Sequence, residues 1–296
     1  VIPQPPWRVV IVTRIPPVVA GFLAAVREVG HEPVALLTIR DVGARYGTEF
    51  TTDALLAQLP PELDVLMPAR RAAVAPLLAS VEPDLVVCMG FPWKIPADAL
   101  AVPALGWLNG HPSLLPRHRG PVPVAWAIRD GDAEIGITFH RMDAELDTGP
   151  IVAQAPIPLG EYVEPDELYG RAGLVILQTL VEALGKLAAG EQGAVQSGGD
   201  YQGFFGDGDA WLDLGRPREE LHRLVWAWRY TFPGGTLFGA HVTLDGETVR
   251  VLASSLVEVE GARRVECSDG PLWLVRTEPL SPDEATRASA PAPPRR

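Results

Sequence analysis

The chain has almost no lysine. Among 296 residues only Lys94 and Lys186 occur, so the positive charge is nearly all arginine. That bias reads as codon usage rather than as a function. Positive charge is also the minority sign: 25 Lys plus Arg face 37 Asp plus Glu, for a formal net charge of -12. An acidic whole lacks the basic stripe that a large nucleic-acid footprint needs. Cysteine is scarce too. Cys88 and Cys267 stand far apart, with no CxxC metal spacing and nothing to pair them. Cys88 lies in the apolar run LVVCMG and reads as a buried small hydrophobe. No signal peptide and no apolar run of membrane-spanning length is seen, so the expected setting is cytoplasmic, with no membrane partner.

What is present is an ordinary globular composition, 47% apolar and 21% charged, at a length that suits one large domain or two smaller ones. WRVVIVTR (7–14), PVALLT (33–38), DVLMP (64–68), PDLVVCMG (83–90) and ALGWLN (104–109) are short, near-continuous apolar runs. Helical spacing separates several of them, as in PPVVAGFLAAVREVGHE and RRAAVAPLLASV. This order predicts an α/β fold with a mostly parallel sheet covered on both faces. EIGITFHRM (134–142) and PIVAQAPIPL (150–159) read as later strands of the same sheet, and 165–191 as a long amphipathic helix. Glycines and polar residues then mark a linker, so the expected division is a first domain at 1–190 and a linker at 191–208. A helix and short strands with Asp-Gly turns predict a small β-barrel at 209–281, before a disordered Pro/Ala/Arg tail at 282–296.

One stretch carries chemistry: LNGHPSLLPRHRG, 108–120. An apolar strand runs out at Leu108, and Asn109 and His111 follow. Ligands of open parallel sheets bind beyond the carboxyl ends of the strands. If the backbone there is extended, residues two apart face one side, so an amide and an imidazole would share a cavity. Imidazole exchanges protons near neutral pH, and an amide N–H can hold a developing oxyanion. Those are two of the parts needed for attack on a carbonyl carbon. A carboxylate to orient the imidazole or relay its proton is offered by HRMDAELDTGPI, in Asp143, Glu145 or Asp147.

Together NGHPSLLPRHRG and GITFHRMDAELDTGPI resemble the folate-dependent formyltransferases, whose pattern is Asn-x-His, Ser-Leu-Leu-Pro, Arg-Gly, and an Asp-x-Gly ahead of an Ile strand. Weaker similarity covers nearly the whole chain, and DAWLDLGRPREELHRLVWAWR is similar to the start of the C-terminal barrel of methionyl-tRNA and sugar-nucleotide formyltransferases. The resemblance implies a Rossmann-like catalytic domain, a C-terminal barrel of OB type, 10-formyltetrahydrofolate as donor, an amine acceptor and no metal. It implies that Asn109, His111 and Asp147 are the catalytic trio. It also implies a pterin pocket from Met89, Gly90, Phe91, Pro92, Trp93 and Ile95 with Ala144, Glu145 and Leu146.

The acceptor is read from departures. The loop VTRIPP (12–17) has no glycine, so the phosphate nest of the purine-pathway relative cannot form there. The loop IRDVGARYGTEF sets Arg40 and Arg45 against Asp41 and Glu49 and is no basic patch. From Asp207 onward 14 acidic residues face 11 basic ones, which makes a poor polyanion dock. His140 stands where small-molecule members of the family usually carry His. The leading expectation is a formyltransferase acting on a small-molecule amine, an amino sugar or a specialised metabolite, with Arg14, Arg117, Arg119 and His140 toward the acceptor. Alternatives are a methionyl-tRNA formyltransferase binding through arginines such as Arg40, Arg45, Arg117, Arg119 and Arg229, a 10-formyltetrahydrofolate hydrolase, and a folate binder without activity. A homodimer stays open.

Overall fold

Five short apolar runs make the centre of the fold. In the computed structural model, which describes residues 6–39, 52–57, 59–160, 162–231, 238–280 and 284, they are β1 (Arg8–Val12), β2 (Glu32–Leu37), β3 (Asp64–Leu66), β4 (Leu85–Cys88) and β5 (Trp107–His111). All neighbouring pairs among them are parallel, in the order β3-β2-β1-β4-β5. β6 (Glu134–Arg141) joins β5 antiparallel, and β7 (Ile151–Pro158) lies beyond β6. The sheet is thus mostly parallel, as predicted. Arg40, Asp41, Arg45 and Glu49 lie outside the described residues, and so does the tail beyond 284.

The helices α1 (Pro16–Glu28), α2 (Thr52–Leu56), α3 (Val74–Ala79) and α4 (Ala97–Leu100) connect these strands. α1 starts on two prolines, which suit the first helical turn because their missing N–H groups would have no partner there. On one face Val10, Val12, Leu37, Val86, Cys88 and Trp107 pack with Val74, Leu78 and Ala99. The buried indole of Trp107 donates to the Ala99 carbonyl at 2.9 Å, so its polar end is satisfied inside the core. Phe22 of α1 meets Phe139 of β6 with ring centroids 6.0 Å apart.

By contacts the chain forms two compact units. The first is Val1–Arg119, Gly136–Ile157 and Glu167–Asp200; the second is Gly120–Ile135, Pro158–Asp166 and Tyr201–Arg296. The first ten residues of the expected linker thus group with the parallel sheet, and Ala194 exchanges two backbone hydrogen bonds of 2.8 Å with Ile151. Most of the long helix α6 (Pro165–Ala188) belongs to this unit as well.

The second unit holds α5 (Pro123–Asp130), α7 (Arg218–Ala227) and a four-stranded antiparallel sheet in the order β10-β11-β9-β8. Its strands are β8 (Ala240–Leu244), β9 (Glu247–Ser255), β10 (Arg263–Cys267) and β11 (Gly270–Pro279), a small barrel-type arrangement. Asp245 and Gly246 both have positive φ, +54° and +83°, which suits the tight hairpin joining β8 to β9. α5 packs on α7, with Trp126 edge-on to Phe205 at 4.8 Å and Arg129 paired to Asp209 at 3.0 Å. Among the described residues no helix is long and apolar enough to cross a membrane.

Candidate active site

β5 does not stop at Leu108. It runs on to His111, because β6 lies alongside and pairs Asn109 with His140 and His111 with Thr138. The expectation that the strand ends at Leu108 is therefore corrected: a partner strand from later in the chain extends it. Within a strand residues two apart share a face, so Asn109 and His111 project together, with His140 and Thr138 as their cross-strand neighbours.

The hydrogen bonds assign the protons. His140 Nδ1 lies 2.9 Å from the Arg141 carbonyl, and a carbonyl only accepts, so Nδ1 carries the hydrogen. His140 Nε2 then has a lone pair, and the Asn109 amide donates to it at 3.1 Å. This also fixes which end of the Asn109 side chain is nitrogen. His140 is 2% exposed; burial first, then the neighbouring His111, pushes its pKa down to about 4, so it stays neutral at physiological pH. His111 donates from Nε2 to the His118 carbonyl at 2.9 Å, and its Nδ1 lies 3.6 Å from Asp147 Oδ1. His140 Nε2 is 3.7 Å from the same oxygen. Asp147 therefore stands at ion-pair distance from two imidazoles, beyond hydrogen-bond length from either.

The loop carrying Asp147 is held both by its own residues and from outside. Asp143 Oδ1 accepts from the Glu145 amide at 3.0 Å and the Thr148 hydroxyl at 2.7 Å. Asp147 has φ +59°, a left-handed conformation that Asp tolerates better than most residues. Gly149 has no substitute, since a Cβ there would sit 1.9 Å from the Arg141 carbonyl oxygen. The Gln196 side chain donates to the carbonyls of Asp147 and Gly149, at 3.1 and 2.6 Å.

The Ser-Leu-Leu-Pro segment is stapled to the sheet. Thr138 donates to the Ser113 carbonyl at 2.7 Å and accepts from the Leu115 amide at 3.2 Å. Gln154 donates to Thr138 Oγ1 and to the Leu115 carbonyl. Ser113 caps the Arg117 carbonyl at 2.8 Å. These bonds deliver the His118 carbonyl to His111. The signal for Thr138 is in the sequence, because Thr138 and His140 alternate with Ile137 and Phe139 at a strand end. Nothing local marks Gln196, which sits among linker-like residues.

The expected pterin residues form two loops that are tied together. Met89 is buried, Gly90 has φ +67°, and the rings of Phe91 and Trp93 meet edge-on at 5.7 Å. Pro92 is half-buried, while Ile95 is 5% exposed and belongs to the core behind the loop. Lys94 reaches Glu145 at 3.6 Å, and Met142 packs on the same core cluster as Phe91 and Trp93. Ala144 is exposed, and Leu146 is a 40% exposed apolar side chain. Paired aromatics and the exposed apolar side chain of Leu146 suit a flat ring system. Cys88 behind them is buried, and burial chiefly pushes its thiol up to about 12, so it remains protonated and inert. Of the four residues expected toward an acceptor, His140 is in the cluster. Arg14 is buried at the end of β1, Arg117 is exposed, and Arg119 donates to the Gly199 carbonyl.

An amide donor, two imidazoles and a carboxylate gathered on a Rossmann-like sheet suit the class of enzymes that move an acyl group by attack on a carbonyl carbon. Comparison with known proteins agrees: residues 17–184 match the formyl transferase family, and the chain belongs to it. It is 35% identical over 266 residues to methionyl-tRNA formyltransferase of Pseudomonas fluorescens (strain Pf0-1), covering 87% of this chain and 80% of that one. A solved sugar N-formyltransferase from Shewanella sp FDAARGOS_354 is similar with a TM-score of 0.60 at 21% identity, covering 85% of this chain and 99% of that one. HypX from Aquifex aeolicus in complex with tetrahydrofolic acid gives 0.63 at 17% identity; 93% of this chain is covered, which spans 45% of HypX. The donor of the family is 10-formyltetrahydrofolate, and the enzyme is a formyltransferase.

Proposed function

We propose that this enzyme transfers the formyl group to the amine of a small-molecule acceptor, an amino sugar or a specialised-metabolite amine, with Asn109, His111 and Asp147 as its catalytic residues. In this reading the acceptor amine attacks the formyl carbon, and negative charge builds on the formyl oxygen. Asn109 has one amide hydrogen committed to His140 and a second for that oxygen. His111 has Nε2 committed to His118, so its Nδ1 is the atom that acts: protonated, it donates to the oxygen while facing Asp147. Asp147 takes the proton that the amine loses on bonding and returns it to the folate nitrogen as the carbon–nitrogen bond breaks. The unit built on the parallel sheet carries this chemistry, and 209–281 form an accessory domain.

The observation that carries the choice of acceptor is charge. A net charge of -12 and 14 acidic against 11 basic residues from Asp207 onward oppose a tRNA footprint. The 35% identity to a methionyl-tRNA formyltransferase favours the second reading, in which initiator methionyl-tRNA is the acceptor. Tetrahydrofolate release separates them, measured with 10-formyltetrahydrofolate alone, with charged initiator tRNA, and with nucleotide-linked amino sugars and free amines. Release only with a small amine is expected. Release only with tRNA, falling steeply with salt, would overturn the reading, and release without any acceptor would make the enzyme a hydrolase.

A further inference from the structure

We infer that Gln196 is a positioning residue for Asp147, which makes the segment after α6 part of the catalytic machinery. This rests on the reading of Asp147 above. Gln196 lies far from the Asn-x-His and Asp-x-Gly motifs in sequence, yet its amide nitrogen is 3.1 Å from the Asp147 carbonyl and 2.6 Å from the Gly149 carbonyl. Two carbonyls can be met only by the NH2 end, so the amide orientation is determined. Both hydrogens are spent on either side of Thr148.

The geometry of the loop explains what the clamp does. Asp147 adopts φ +59°, and Gly149 is pressed against the Arg141 carbonyl. Such a conformation persists only where its surroundings over-determine it. On one side the loop is held by Asp143 through Glu145 and Thr148. Those bonds set the loop's internal shape but not its distance from the imidazoles. That distance, 3.6 Å to His111 and 3.7 Å to His140, is set by anchors outside the loop, one being the Arg141 amide, which donates to the Pro150 carbonyl at 2.9 Å. Gln196 adds an anchor at Asp147 itself, and its own backbone is fixed nearby: Ala194 exchanges two hydrogen bonds of 2.8 Å with Ile151 at the start of β7, and the Gln192 carbonyl accepts from Arg141 Nε at 3.2 Å. The clamp therefore ties the carboxylate loop to β6, which carries His140, and to the neighbouring edge strand β7.

The test compares Gln196→Met, nearly the same shape without donors, with Asp147→Asn and with the double variant, using whichever acceptor the wild-type enzyme turns over. A misplaced carboxylate slows the chemical step and leaves binding alone. Gln196→Met is expected to lower kcat about 10- to 100-fold with both KM values within about twofold. Because Gln196 acts through Asp147, the double variant should be no slower than Asp147→Asn alone. Gln196→Glu, which sets a carboxylate against two carbonyls, should lose at least as much. Unchanged kcat in folded Gln196→Met, or a double variant slower by the full factor of the single one, would overturn the inference and leave the role of Asp147 standing. Near-normal turnover by Asp147→Asn would overturn the reading of Asp147 and the inference with it.

Discussion

At the scale of single residues the site depends on where hydrogens sit. His140 is neutral because it is buried, with its pKa near 4, and its Nδ1 hydrogen is held by Arg141. A protonated His140 could not accept from Asn109, and the amide would be free to turn. The net worth of that hydrogen bond is about 1 kcal/mol, yet it orients a donor whose loss in related chemistry costs about 3 kcal/mol. His140→Leu is therefore expected to lower kcat about 10- to 100-fold with the fold intact, checked by steady-state kinetics. A rise in acceptor KM alone would instead put His140 on the acceptor. Trp93→Ala is expected to weaken folate binding more than turnover, measured by folate titration beside kcat; an unchanged affinity would move the pocket elsewhere. That Asn109 and His111 share a face was legible in their spacing, whereas the choice of Asp147 over Asp143 and Glu145 came from the family resemblance. The second role of His111, donating to the His118 carbonyl, was not, since backbone acceptors leave no mark on residue identity.

At the scale of elements the site is a strand pair with two stapled loops. β5 and β6 meet antiparallel at the edge of a parallel sheet, which sets four polar side chains opposite one another. Thr138 is the staple on one side. Thr138→Val keeps the shape but leaves the Leu115 amide and one Gln154 contact without an acceptor, so a loss of about 1–3 kcal/mol is expected in urea unfolding. Gly149 is the constraint on the other side. With only 1.9 Å to the Arg141 oxygen, Gly149→Ala must push the loop off the sheet, and both the melting temperature and kcat should fall. An alanine variant with wild-type turnover would show that the loop has room that its geometry denies. The strands, α1, α6 and α7 were readable from apolar period and caps. The extension of β5 to His111 was not, because a strand end is decided by the neighbour it pairs with.

At the scale of the whole molecule, burial of histidine governs the response to acid. His140 and His222 are both held down to about 4, chiefly by burial, against an ordinary value of 6.5. His241 and His31 are lowered for the same reason. In the unfolded chain these groups take up protons near 6.5, while the folded chain resists until lower pH. The stability that these neutral imidazoles lend is thus complete above about pH 6.5 and is lost as the pH falls; for His140 and His222 the loss runs toward pH 4 and is on the order of 1–3 kcal/mol each at its limit. Unfolding free energy measured by denaturant titration should drop steadily across this window. A flat profile would mean that these imidazoles are more open to water than their burial implies.

The amino-acid sequence by itself determined the class of fold and the family. Continuous apolar strands can be satisfied only by a sheet buried on both faces, and the Asn-x-His, Ser-Leu-Leu-Pro, Arg-Gly and Asp-x-Gly segments together carry the family resemblance. Tertiary structure alone decided how the reacting groups are made to work. The tautomers of His111 and His140, the cross-strand pairing of Asn109, and the clamp from Gln196 all come from segments distant in the chain. The physical reason is that propensity and pattern act over a few residues, whereas hydrogen-bond partners and burial are set by whatever the folded chain brings alongside.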